Sequence, residues 1–245
     1  MNMRKRITWL LVPLFLLSAL SSLVAAQVQQ AARHEEWEAS FFGGFASVGD
    51  QSSLTPVEGQ SSARSVGLDY KNGYLLGARV TQNLGDTFGA ELEYSFADQP
   101  LDFINLRPSL PKLSVKHNIH SIVYSVLVYP FDQSGRLRPY GTIGGGTSFF
   151  YIGKDSKNQA ATQGIVLKDR WKFAFSFGGG VKYLLTNKIG VRLDVRDQIT
   201  GVPNYGLPDT SASLPGGELG AAFRADGRAH NWIVNVGLNY YFEFK

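Results

Sequence analysis

The sequence contains no cysteine and only four histidines among its 245 residues. It therefore has no disulfide framework and no thiol chemistry. Long apolar runs are also missing from the chain after its N-terminal segment. No stretch there approaches the roughly 20 apolar residues that a membrane-spanning helix needs. Any insertion of the rest of the chain into a membrane must therefore use strands.

The N-terminal segment has the three parts of a secretory signal peptide. Residues 4–6 are basic, residues 7–20 form an apolar run, and small residues follow up to Ala26. A membrane-anchoring helix is the alternative, but the run is short for one, contains Pro13 and ends in small residues. We predict that the chain is exported and cleaved after Ala26.

This cleavage divides the chain into a signal peptide, residues 1–26, and one mature domain, residues 27–245. The signal peptide holds three basic residues and no acidic one, so its removal lowers the formal net charge from +4 to +1. A high isoelectric point is therefore largely a property of the signal peptide. We predict no nucleic-acid partner, because the mature domain lacks the basic excess that such a partner requires.

The final stretch, from His230 to Lys245, alternates apolar and polar side chains with a period of two. Its apolar positions are Trp232, Val234, Val236, Leu238, Tyr240, Phe242 and Phe244. Between them lie Asn235, Asn239 and Glu243, which we predict to face an interior. A helix would scatter these residues around its circumference, whereas one face toward lipid and one toward a lumen is typical of a membrane barrel strand.

Seven earlier segments have similar features, and together with the final stretch they give eight strands. The seven are residues 36–46, 72–81, 87–96, 116–129, 138–150, 170–185 and 189–200. The connections alternate, with long loops at 47–71, 97–115, 151–169 and 201–229 and short turns at 82–86, 130–137 and 186–188. Short periplasmic turns and long external loops are typical of outer-membrane barrels.

We therefore predict an all-β fold, an eight-stranded antiparallel up-and-down transmembrane β-barrel. It would be a monomer with both termini in the periplasm. A soluble lipocalin-like barrel is the competing fold, and it would turn its apolar faces inward. Charged residues such as Arg79, Glu91 and Arg192 would then lie on its outer surface.

The membrane barrel instead places a set of charged side chains in its lumen, namely Arg79, Glu91, Glu93, Arg192, Asp194 and Arg196. A turn centred on Gly85 would set Arg79 directly opposite Glu91. A charge in a narrow lumen needs a partner. We predict a network of salt bridges that plugs an interior barely wider than its own side chains. A gated path for ions or small solutes, lined by the same residues, is the open alternative.

No catalytic, cofactor-binding or metal-binding residues are predicted. His117 and His120 lie three apart on a strand and so point to opposite faces, which prevents them from sharing one metal. His120 and its neighbour Ser121 also point apart, which does not suit a catalytic pair. Glycines such as Gly178 and Gly180 give room to long side chains on the facing strand rather than forming a phosphate-binding loop.

Two stretches resemble sequences common in one bacterial family. They are Arg-Pro-Tyr-Gly-Thr-Ile-Gly-Gly-Gly from Arg138, and the segment from Phe177 to Asp197 that begins Phe-Gly-Gly-Gly-Val-Lys-Tyr. With the signal peptide and the aromatic final strand, they make the mature chain similar to small Gram-negative outer-membrane β-barrel proteins. These include the transmembrane domain of outer-membrane protein A and the opacity-type surface proteins.

The resemblance implies a location in the cell outer membrane and insertion by the barrel-assembly machinery. That machinery reads a C-terminal aromatic signal, which corresponds here to Tyr240, Phe242 and Phe244. Family members usually end on the aromatic residue, whereas here Lys245 follows it.

We expect a structural or surface-interaction role, with outer-membrane lipid and lipopolysaccharide as partners and no enzymatic activity. The alternatives are a narrow porin-like channel for ions or small solutes and, from another class, a lipid-modifying enzyme. Apolar residues in the second long loop would either dip toward the membrane or fold over the barrel mouth. They are Leu101, Phe103, Ile104 and Leu106.

Overall fold

The computed structural model describes residues 36–49, 52–56, 65–107, 110–131, 135–207, 223–225 and 227–243. Within these ranges the chain forms thirteen strands and one helix. The strands are β1 (Trp37–Val48), β2 (Ser52–Pro56), β3 (Val66–Tyr70), β4 (Gly73–Leu84), β5 (Phe88–Asp98), β6 (Leu101–Arg107), β7 (Leu110–Val115), β8 (His117–Val128), β9 (Leu137–Ile152), β10 (Arg170–Leu184), β11 (Ile189–Gly201), β12 (Phe223–Arg224) and β13 (Arg228–Phe242). The helix is α1 (Lys154–Thr162).

Eight of the strands close into one barrel in the order β1-β13-β11-β10-β9-β8-β5-β4. All neighbouring pairs are antiparallel, which confirms the predicted fold class. The first and last strands pair over twelve residues, from Trp37 opposite Phe242 to Val48 opposite Asn231. This pairing removes the last open edges of the sheet.

Side chains along each barrel strand alternate between an apolar outer face and a polar inner face. Phe41 on β1 is 76% exposed and Phe173 on β10 is 71% exposed, whereas Glu38 and Asn239 are completely buried. Such exposed aromatics are stable only in contact with lipid, so the alternation excludes the soluble barrel with an apolar interior. Among the described residues, no helix is long and apolar enough to cross a membrane.

Aromatic side chains form a belt around part of the outer surface, near the rim that carries the long connections. Tyr74, Phe96, His120, Phe149 and Trp171 follow one another across five neighbouring strands. The ring centroids of Phe96 and His120 lie 5.1 Å apart, and those of Phe149 and Trp171 lie 4.7 Å apart. Rings at this level are typical of a membrane–water interface.

The turn between β4 and β5 corrects one predicted pairing. Three residues, 85–87, form the turn, and Gly85 adopts a φ of 71°. The turn is therefore centred on Asp86, one residue later than predicted, and the partner of each β4 residue moves two residues along β5. Arg79 lies opposite Glu93, and Thr81 is the residue opposite Glu91.

The long connections are more ordered than the sequence pattern predicted. Segments of three of them form a second sheet of five strands in the order β12-β2-β3-β6-β7, and α1 lies in the fourth. The interpretation of 47–71, 97–115 and 201–229 as loops was therefore wrong where these strands lie. Pro111 sits in β7, the edge strand, where a missing N–H is tolerated.

This second sheet covers an apolar core at one end of the barrel. Leu101, Phe103 and Leu106 are buried in it, together with Leu54 and Leu68 from the first long connection. The sequence predicted that the apolar residues of the second loop either dip toward the membrane or fold over the barrel mouth. Leu101, Phe103 and Leu106 fold over the mouth. The name cap is used below for the five-stranded sheet, α1 and the segment 202–207.

The last strand departs from prediction at its end. β13 ends at Phe242, and Glu243 is exposed rather than in the interior, because it follows the last residue of the ladder. Phe244 and Lys245, like the predicted signal peptide 1–26, lie outside the described residues. The domain boundaries and the C-terminal assembly signal therefore stay predictions.

Candidate functional site in the barrel interior

Asp194 lies at the centre of the interior and is surrounded by three arginines. Its carboxylate lies 2.8 Å from Arg192 Nε, accepts a hydrogen bond from Arg196 Nη2 at 3.1 Å and also pairs with Arg79. The Tyr140 hydroxyl donates a further hydrogen bond to it. β4, β9 and β11 supply these side chains, so the cluster joins strands that are not neighbours in the barrel.

Glu91 is the second acid of the same cluster. It binds Arg192 Nη1 at 2.5 Å and Arg196 Nη2 at 2.7 Å. The Thr81 hydroxyl, directly opposite on β4, donates to Glu91 at 2.8 Å. All four side chains are buried, so each charge is compensated by a partner rather than by bulk water.

Glu93 completes the cluster on its other side. It lies 3.2 Å from Arg79 and 3.3 Å from Arg196. The Arg79 guanidinium also stacks on the Phe42 ring, 3.9 Å from its centroid. Phe42 breaks the polar pattern of the inner face of β1, and this stack is the physical reason for its position.

The structure therefore brings all six residues of the predicted lumen network into one connected set. Glycines on the facing strand make this possible, since Gly178 lies opposite Arg196 and Gly180 opposite Asp194. A Cβ atom at Gly180 would overlap the Tyr140 hydroxyl, which accepts from Arg192 Nε at 2.6 Å. Glycine is needed here for close approach.

A second charged cluster lies nearer the short-turn rim and is absent from the predicted network. Lys182 Nζ lies 2.7 and 2.8 Å from the two oxygens of Glu38 and 2.8 Å from the Tyr129 hydroxyl. Asn83 donates to Glu38 at 2.8 Å, and Arg138 stacks on Tyr129 with its Cζ 3.4 Å from the ring centroid. The inward position of Glu38 and Lys182 in the alternation was the available signal. The two clusters together are called the charged lumen below.

A mixed layer separates the charged lumen from the cap. A small cavity of about 10 Å3, room for about one water molecule, lies there among polar Ser148, Gln198 and Asn231 and apolar Ile119 and Phe150. The environment of the interior thus changes from ionic to apolar within this layer.

Tyr205 anchors the cap above this layer. Its hydroxyl lies 2.9 Å from His117 Nε2 and 2.8 Å from the Tyr70 hydroxyl. His117 Nδ1 lies 2.9 Å from the Gln99 carbonyl, which can only accept, so neutral His117 donates there and its Nε2 accepts from Tyr205. Tyr70 then donates to Tyr205.

Two further properties of Tyr205 reflect how tightly it is held. Its φ is 50°, a left-handed conformation that is uncommon for a residue other than glycine. Burial raises its pKa and that of Tyr70, so both phenols stay neutral well above their ordinary range.

The two other histidines that the structure describes, His120 and His230, lie on the outer face. His120 Nδ1 is 2.8 Å from the Tyr94 hydroxyl, while Ser121 points inward, as the alternation predicted. His230 Nδ1 is 2.7 Å from Asp197. In the part of the chain that the structure describes, no group of three or more histidine or acidic side chains is arranged to hold a metal ion.

Comparison with known proteins supports the family suggested by the sequence. The family model for the outer membrane protein beta-barrel domain matches residues 16–242. No curated protein matches the sequence.

Two solved structures have the same fold. The outer membrane protein OprG from Pseudomonas aeruginosa is 19% identical, with a TM-score of 0.53, over 86% of this chain and 98% of that one. The outer membrane protein AlkL, solved in DMPC lipid bilayers, is 18% identical, with a TM-score of 0.50, over 88% and 94%.

The match to the family model extends over nearly all of the barrel and cap. The chain therefore belongs to the outer membrane protein beta-barrel domain family, whose members reside in the bacterial outer membrane.

Proposed function

We propose that this chain is a sealed barrel with a structural or surface-interaction role, rather than a pore. The observation that carries the proposal is that side chains fill the interior in two successive layers. The charged lumen occupies the part toward the short turns, and the cap covers the end with the long connections.

The charged lumen is a dense barrier rather than a lining. Arg192 and Arg196 are only 1% and 2% exposed, and each contacts Asp194 on β11 and at least one acid on β5. An ion crossing this layer would have to separate buried charge pairs, and removing one partner of such a pair costs about 3–5 kcal/mol. An eight-stranded barrel leaves little space beyond its own side chains.

The cap supplies the surface for interaction. Its strands come from the connections that lie outside the cell in outer-membrane barrels, where loops carry most recognition. Outer-membrane lipid and lipopolysaccharide at this rim, and the barrel-assembly machinery during insertion, remain the proposed partners. We also infer that the chain works as a monomer and has no enzymatic activity.

A narrow channel is the second candidate, and one observation favours it. Ser125 Oγ, Thr142 Oγ1 and Arg138 Nε are buried without a hydrogen-bond partner. Buried polar atoms of this kind are usually satisfied by water. Water connecting these atoms would form a short polar path in the half of the lumen nearer the short turns.

Planar-bilayer recording of the purified protein tests the proposal against this alternative. We expect no stepwise conductance from the wild type and none from Arg192→Ala, because the cap still closes the mouth. Reproducible conductance steps in the wild type would contradict the sealed barrel. Heat-modifiable migration on detergent gels serves as the folding control for both proteins.

The lipid-modifying alternative has its own test. Mass spectra of lipid A from cells with and without the protein should be identical. A new deacylated or acylated species that depends on the protein would overturn the inference that it is not an enzyme.

A further inference from the structure

A row of basic residues lies at the mouth of the barrel. Lys168, Arg170 and Lys172 occupy alternate positions where the chain enters β10. They are called the basic ridge below. The acid between them, Asp169, binds Lys157 at 2.7 Å and is therefore already engaged elsewhere.

All three residues of the basic ridge lie against residues 201–206, which comprise the last residue of β11 and most of the cap segment 202–207. Arg170 Nε donates to Asn204 Oδ1 at 2.7 Å, and the backbone N–H of Lys168 donates to the Tyr205 carbonyl at 2.7 Å. The aliphatic part of Lys172 passes beside Gly201, 3.8 Å from where a Cβ would stand. One side of the segment is thus lined by three cations.

These cations have no acidic partner in the described residues. None of the ion pairs found there includes Lys168, Arg170 or Lys172. Arg170 and Lys172 are also half-buried, which weakens the screening of their mutual repulsion by water. This contrasts with the charged lumen, where every arginine of the central cluster contacts carboxylates.

Arg170 is the best-oriented donor of the basic ridge. Asn204 holds its Nε, and both terminal nitrogens stay available, which is the geometry that binds a phosphate or sulfate through two parallel hydrogen bonds. Lys172 beside it adds a second positive charge. The pair is suited to a group with at least two anionic oxygens.

The face of β10 on which Arg170 and Lys172 lie indicates whether the anion comes from solution or from the membrane. Arg170 and Lys172 have the same parity as Ala174 and Ser176, which face inward, whereas Trp171 faces lipid. A ligand would therefore reach these groups at the rim that carries the long connections, beside the cap, rather than sideways from the membrane.

We propose that the basic ridge is a binding site for the phosphate or sulfate groups of a soluble polyanion. The proposal deepens the surface-interaction role and rests on it. It assigns a ligand class to the mouth of the barrel and makes Arg170 its central contact.

Binding of dextran sulfate to the full chain in neutral detergent tests this site. The double variant Arg170→Gln/Lys172→Gln should weaken binding at least about tenfold, as expected for loss of charge-assisted hydrogen bonds. Lys116→Gln/Lys154→Gln is the matched control, since it removes the same charge from exposed lysines near the same rim. That control should change affinity by less than about threefold, and uncharged dextran should not bind.

Arg170→Lys separates a built site from simple charge attraction. It keeps the charge but loses the planar fork, so we expect a loss of several-fold or more. The proposal would be overturned if the wild type and the Arg170 variants bound dextran sulfate with equal affinity. Binding that appears only with lipopolysaccharide in nanodiscs would also overturn it. The wild type's bilayer conductance, measured separately, distinguishes failure of this site from failure of the sealed barrel.

Discussion

The charged lumen and the cap fill two ends of the same barrel by opposite chemistry. The charged lumen joins buried ions on strands that are far apart in sequence, such as Arg79 with Asp194. The cap buries leucine and aromatic side chains as a soluble protein does. The difference follows from the solvent outside each region, since barrel strands must give their apolar face to lipid while the cap sheet faces water.

Removing the central acid should produce the largest effect and act on the whole barrel. Asp194→Ala leaves three buried guanidinium groups without one of their carboxylates, which should destabilise the barrel by about 3–5 kcal/mol. Urea unfolding in lipid vesicles, followed by tryptophan fluorescence, measures this loss. Asp155→Ala, at an exposed position on α1, is the control and should stay within about 0.5 kcal/mol of the wild type.

Truncating the core of the cap should act locally instead. Phe103 is fully buried and its ring lies 5.6 Å from that of Tyr205. Phe103→Ala should cost the cap about 3 kcal/mol and leave the barrel transition unchanged. Hydrogen exchange should then speed up in β3 and β6 but not in β11. Uniform loss of protection across both regions would show that they unfold as one unit.

Removing one hydroxyl from the cap should give a smaller effect. Tyr205→Phe leaves Tyr70 and His117 without their shared partner, which should cost about 1–2 kcal/mol. The same exchange measurement on residues near 205 detects it. Tyr151→Phe, which removes a hydroxyl from the outer face of β9, is the control and should leave exchange in the cap unchanged.

Alkaline pH should destabilise the cap before the barrel, and this is the smallest of the expected effects. Burial raises the pKa of Tyr70 and Tyr205 above the unfolded value of about 10. Their contribution to stability is therefore complete below pH 10 and decreases as the pH rises toward the folded pKa values. Exchange in the cap should increase above about pH 10 before the barrel responds. If the barrel opened first, this assignment would be wrong.

The sequence predicted the barrel better than the cap, for a physical reason. Lipid imposes a strict period of two on Trp232 to Tyr240, and it also sets the inward positions of Arg79, Glu91 and Asp194. The cap strands are short and interrupted by proline and glycine, so their pattern resembles that of a loop. Their pairing depends on contacts between connections remote in sequence, such as Leu68 with Phe103.

The partners within the charged lumen were also beyond sequence reasoning. Alternation predicted the face of each residue but not its position along the barrel axis. A turn centred one residue later than predicted moved the partner of Arg79 from Glu91 to Glu93. The cluster of Glu38, Lys182 and Arg138 depends on side chains crossing the lumen. Which side chains meet across the lumen depends on the curvature of the closed sheet, and the pattern of a single strand does not predict that curvature.

Single-channel recording on a series of four proteins tests the central claim, that two layers seal the barrel independently. Arg192→Ala damages the charged lumen, and Phe103→Asp opens the cap by burying an unpaired charge. We predict that the wild type and both single variants are silent and that only the folded double variant conducts. Conductance in the wild type, or equal conductance in Arg192→Ala and the double variant, would contradict the account.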